Sequence, residues 1–222
     1  MAGARAALPS ESRGPAQSGP RPPKIASCDQ ATRSKLAAAY QTAFGWARAT
    51  AAWLRQWIRS PALRREWNAG PVGRLFGPFS TARARRLWTV VRGVVDRFER
   101  GFEHDGRRMP TTLMCLPASY RRCSTGLLGN ASIYGTLRFC PRLLEQDVPS
   151  VAKVVLHELM HQGLGVGDRR HEDCEGSKHR CYREGARDLV EAGRYDLAGR
   201  NIDNYVTLMR HVGTRGGGPR PG

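Results

Sequence analysis

From about Asp29 apolar residues recur at three- and four-residue steps: Leu36, Tyr40, Phe44, Ala47, Ala51 and Leu54. That spacing predicts one long amphipathic helix whose stripe faces a core, with Thr32 or Ser34 available near its start. A turn-rich stretch, NAGPVGRLFGPFS, interrupts the pattern. The helical period returns from about Thr81 to Arg100, with Leu87, Val90, Val91, Val94, Val95 and Phe98 on one face. GFEHDGRRMP reads as a loop. TTLMCLP and ASIYGTLRFC read as two strands, separated by the turn-prone stretch ASYRRCSTGLLGN. Helices are expected again over about Val151–Gln162, Tyr182–Ala192 and Asn201–His211. These elements make a mostly helical α+β domain with a small sheet.

The chain has 222 residues, enough for one full hydrophobic core. Residues 1–25 are rich in Pro, Gly, Ser and Ala and read as a leader or linker; residues 26–213 form the domain, and 214–222 a polar tail. The leader lacks the apolar centre of a secretory signal, and no apolar run approaches the ~20 residues of a membrane span. A formal charge of +17 raises the question of nucleic acid. The excess is nearly all arginine, scattered along the chain, and the only lysines are Lys24, Lys35, Lys153 and Lys178. No RNA-binding strand signature, zinc-finger spacing or basic zipper accompanies it. A basic nucleic-acid-binding protein is therefore the alternative, not the first expectation.

The stretch VVLHELMHQGLGVGDRRHEDCEGSKH carries the candidate chemistry. On a helix His157 and His161 lie one turn apart on the same face, so both imidazoles can address one ion. Glu158 is rotated by roughly 100° from His157 and can serve a water beside that ion without acting as a ligand. Neutral imidazoles to bind and a carboxylate to take a proton are what zinc hydrolysis requires. Two histidines leave the ion one protein ligand short. A second HxxGxxH-type histidine is excluded, because Leu164 and Gly167 occupy those positions, and a distant helical Glu184 or Glu191 has no supporting context. Asp168, His171, Asp173, Glu175 and His179 remain.

GLGVGDRRH behind HELMH resembles the glycine-turn-aspartate segment of the aspzincins, the deuterolysin and peptidyl-lysine metalloendopeptidase family. The resemblance extends to ASCDQATRSKLAAAYQTAFGWARATAAWL, GRLFGPFSTARARRLWTVV, IYGTLRFCP and NIDNYVTLMRHVG, in that order. It implies a zincin-like domain with an HExxH helix, one Zn2+ per chain and hydrolysis of protein or peptide substrates by a monomeric endopeptidase. His157, His161 and Asp168 would be the ligands, and Glu158 the general base. The turn here departs from the family in having Val166 for Thr and His171 at the family's Tyr position. If Tyr182 fills that position instead, His179 becomes the third ligand; His171 is a further alternative. The resemblance also implies an oxyanion or pocket role for Tyr182 and contact of Asp203 with a substrate lysine. It implies pairing of Cys28 with Cys115 and of Cys123 with Cys140, leaving Cys174 and Cys181 for a third bridge. Six cysteines favour an exported, oxidising destination over the cytoplasm. A delivered effector protease fits the same chemistry.

Overall fold

The computed structural model describes residues 19–132, 135–168 and 185–215. Helix α1 spans Gln30–Trp57. Asp29, rather than Thr32 or Ser34, caps it: the Asp29 carboxylate accepts from the Thr32 N–H and satisfies a donor the helix leaves open. All six residues of the expected stripe are buried. Helix α4, Thr81–Arg100, is capped by Ser80 and buries the face that its period marks. Tyr40 of α1 meets Phe98 of α4 edge-on, with ring centroids 4.8 Å apart.

Between them lie two short helices, α2 (Leu63–Ala69) and, inside the stretch that reads as turn-rich, α3 (Pro71–Phe76). Pro71 begins α3, where its missing N–H costs nothing, and Gly70 precedes it in extended geometry. Trp67 anchors the segment. It is fully buried, donates Nε1–H to the Gly77 carbonyl at 2.8 Å, and stacks on Trp57. Tertiary burial thus overrides the turn-forming composition.

The four-stranded sheet has the order β1-β4-β6-β5. Its strands are β1 (Lys24–Ala26), β4 (Thr112–Cys115), β5 (Gly129–Ala131) and β6 (Thr136–Phe139). β1, β4 and β6 run parallel, and β5 returns antiparallel along the edge. Pairing of Lys24 with Thr112 reaches back into the segment read as leader. Isolated from β4, three residues after two prolines carry no strand signal. The expected loop at 101–110 is instead a hairpin, β2 (Phe102–His104) with β3 (Arg107–Met109). Asp105 and Gly106 both take positive φ at its turn, the geometry that a two-residue hairpin connection needs.

After the short α5 (Pro141–Leu144) comes α6, Val148–Met160. It starts three residues before the expected Val151 because Asp147 caps it and Pro149 suits the first turn. α6 packs on α1 and against β5 and β6. The last described elements are α7 (Gly185–Glu191), α8 (Tyr195–Ala198) and α9 (Ile202–Thr214), α9 lying on both α1 and α6. Disulfides join Cys28 to Cys115 and Cys123 to Cys140. Cys174 and Cys181 lie outside the described residues. Among the described residues no helix is long and apolar enough to cross a membrane.

Trp67→Ala is expected to cost roughly 3–5 kcal/mol in urea unfolding, through cavity formation and loss of the Gly77 hydrogen bond. A loss below about 1 kcal/mol would show that the α2–α3 segment is not tied to the core.

Candidate metal centre

Helix α6 delivers HELMH at its C-terminal end, with His161 as the C-cap. Apolar neighbours Val155, Leu156, Leu159 and Met160 are buried, so the histidine-bearing turn is fixed by the core beneath it. Beyond His161 the chain turns through Gly163 and Gly165, both at positive φ, where a side chain would be strained. Gly167 then forms a parallel bridge with Asn201: its N–H donates to the Arg200 carbonyl at 2.9 Å, and its carbonyl accepts from the Ile202 N–H at 3.3 Å. Asp168 follows directly.

This path brings Asp168 back over the helix. Its Oδ1 lies 3.2 Å from His157 Nε2 and 3.5 Å from His161 Nε2. The three ligand atoms fall within 4.8 Å of one another. A tetrahedral zinc with bonds of about 2.05 Å has ligand–ligand edges of about 3.4 Å. The two measured edges bracket that value. Two imidazole nitrogens and one carboxylate oxygen also form a donor set that zinc accepts, so the residues fit the ion. His157, His161 and Asp168 would hold it.

Behind His157 stands Asp203, buried at the start of α9, with Oδ1 3.0 Å from His157 Nδ1. A carboxylate there keeps the proton on Nδ1 and frees Nε2 for a metal. The family resemblance implies a substrate-lysine contact for Asp203, and no sequence signal marks its contact with His157, because the carboxylate reaches the histidine only through the fold. Glu158 is also buried, on the same turn as His157. Gln162, not singled out from sequence, donates Nε2–H to the Ser132 carbonyl at 3.1 Å and so ties the end of the site helix to the chain just after β5. Glu191 ends α7 and is exposed. Tyr182, His171, His179, Asp173, Glu175 and Glu184 lie outside the described residues.

The charges follow from this packing. Burial opposes protonation of His157, but hydrogen bonds to Asp168 and Asp203 outweigh it and raise its value to about 10. Burial lowers His161 below its ordinary value against the pull of Asp168, leaving it neutral near pH 7. Burial lifts Glu158 to about 7, with the Asp168 charge adding to the rise and His157 and the Ala131 backbone N–H opposing it. A carboxylate that titrates near neutrality can both accept and return a proton.

In the zinc-free protein His157 therefore binds more protons folded than unfolded between its ordinary 6.5 and about 10. Its contribution to stability is complete below that window and is lost as pH rises through it. Urea midpoints of the zinc-free protein are expected to fall more between about pH 7 and about pH 10 than those of His157→Gln. Parallel curves would show that the two carboxylates do not hold the imidazolium.

No protein-family model matches the chain, and no curated protein does. Among solved structures, a zinc peptidase from Grifola frondosa is similar in fold, with a TM-score of 0.59. The match covers 83% of this chain and 97% of that one, at 16% sequence identity. The α+β fold is thus similar to that of a zinc peptidase.

Proposed function

We propose that the chain is a zinc-dependent metalloendopeptidase of the aspzincin type. The observation that carries this reading is the convergence of His157, His161 and Asp168 beside a buried Glu158 at the end of one helix. The fold likeness to a zinc peptidase supports it, as does the order of the family-like segments in the sequence. Zinc, when bound, supplies a Lewis acid that polarises the scissile carbonyl and makes water acidic near neutrality.

Everything else falls to the chain. Glu158 takes the proton of the attacking water and returns it to the leaving amine. Asp203 holds the Nδ1 proton of His157 and orients the ring. Tyr182 is assigned the oxyanion on the resemblance alone. The substrate class is protein or peptide. Two disulfides suit an oxidising compartment, and we infer export.

The test is digestion of an unfolded protein by the zinc-loaded, disulfide-intact chain. Glu158→Gln is expected to retain zinc and lose roughly 10²–10⁴ in kcat. Digestion at the wild-type rate by that variant would refute the mechanism. Asp168→Ala is expected to weaken zinc binding far more than His171→Ala or His179→Ala does; the reverse order would transfer the third ligand to a histidine. Cuts confined to bonds beside lysine would support a specificity role for Asp203, and cuts spread over many residue types would remove it.

A further inference from the structure

Helix α4 contributes no ligand, yet the turn that carries Asp168 rests on it. Gly93 leaves room for Leu164: a Cβ at Gly93 would sit 2.7 Å from Leu164 Cδ2. Arg97 Nη2 lies under Gly163, 3.1 Å from where a Cβ there would be. One turn of helix from the N-terminus of α4, Arg86 does more than fill space. Its Nη2 donates to the Gly165 carbonyl at 2.8 Å, and its Nε donates to the Gly199 carbonyl at 2.7 Å.

Those two carbonyls belong to the two segments that supply carboxylates to His157. Gly165 precedes Asp168 by three residues, and Gly199 precedes Asp203 by four. The segments meet again at the bridge of Gly167 with Asn201. Around Gly199 the backbone is held from several sides. Tyr205 donates its hydroxyl to the same carbonyl at 2.8 Å, and Asn204 Nδ2 donates to the Ala198 carbonyl at 2.9 Å. Only Arg86 reaches both segments with one side chain among these contacts. A planar guanidinium offers donors at fixed angles, so it sets a distance between two acceptors; a lysine ammonium on a flexible stem does not.

We propose that Arg86 is a positioning residue for the metal centre: it locks the Asp168 and Asp203 segments in register, so that both nitrogens of His157 meet their carboxylates. The assignment rests on the zinc reading above. It acts through Asp168 and Asp203 and touches neither the ion nor the substrate.

The experiment is a double-mutant cycle on zinc affinity, read by competition with a chromophoric chelator, with thermal unfolding of each zinc-free variant as the check on folding. Arg86→Lys keeps the charge and stem but loses the fork. It is expected to weaken zinc binding by roughly 10-fold, the lower end of the range for direct partners of ligand side chains, because Arg86 acts one step further out. Arg86→Gln, which can serve one carbonyl but not both, is expected to move in the same direction and replaces the lysine variant if that one unfolds. In an Asp168→Ala background the loss on Arg86→Lys is expected to shrink by at least about fivefold, since the group it positions is gone. Undiminished affinity in both single variants, or losses that simply multiply with Asp168→Ala, would overturn the proposal and leave Arg86 a fold-stabilising residue. Wild-type zinc binding that is insensitive to His157→Gln would overturn the zinc reading itself; His157-dependent binding with no Arg86 effect would remove only the clamp.

Discussion

His157 meets a carboxylate on each ring nitrogen, Asp168 at 3.2 Å on Nε2 and Asp203 at 3.0 Å on Nδ1. Three parts of the chain must be in place for that arrangement. The α6 helix supplies the imidazole, the glycine turn behind it supplies one carboxylate, and the start of α9 supplies the other. Each carboxylate favours the imidazolium in the zinc-free protein, which is why its value rises despite burial. Their consequences diverge once an ion is present. In the proposed zinc site Asp168, on the metal-facing side, would be a ligand, whereas Asp203 on the far nitrogen would fix the tautomer.

The rest of the fold can be understood as support for this geometry. α1 runs beneath α6, α9 and α4, so the helices that carry or brace the site share one apolar floor. The sheet also meets α6, with β5 at its edge against the helix and Gln162 joined to Ser132. Burial in this setting lifts Glu158 toward neutrality in the zinc-free protein. One disulfide ties Cys28, just ahead of α1, to Cys115 of β4, and the other ties Cys123 to Cys140 at the start of α5.

Much of this was legible from residue spacing. The apolar stripes of α1 and α4 are long and periodic, and every residue they nominate is buried. HELMH was legible because four-residue spacing on a helix is itself a geometric statement. What the pattern missed depends on partners distant in sequence. β1 exists through pairing with β4, and α3 through the buried Trp67. The β2–β3 hairpin did carry a local signal, Asp105-Gly106, that was read as a loop. Arg86 is one arginine among many on a basic chain, and its two carbonyl partners give no mark in the sequence. Asp203 was singled out, but its contact with His157 depends on how α9 docks beside α6.

The most direct measurement is anomalous diffraction at the zinc edge from crystals of the zinc-loaded protein. The account requires one peak about 2.0–2.2 Å from His157 Nε2, His161 Nε2 and an Asp168 oxygen, with Asp203 still on His157 Nδ1. A peak closed by His171 or His179, or one lying away from the α6 histidines, would contradict it.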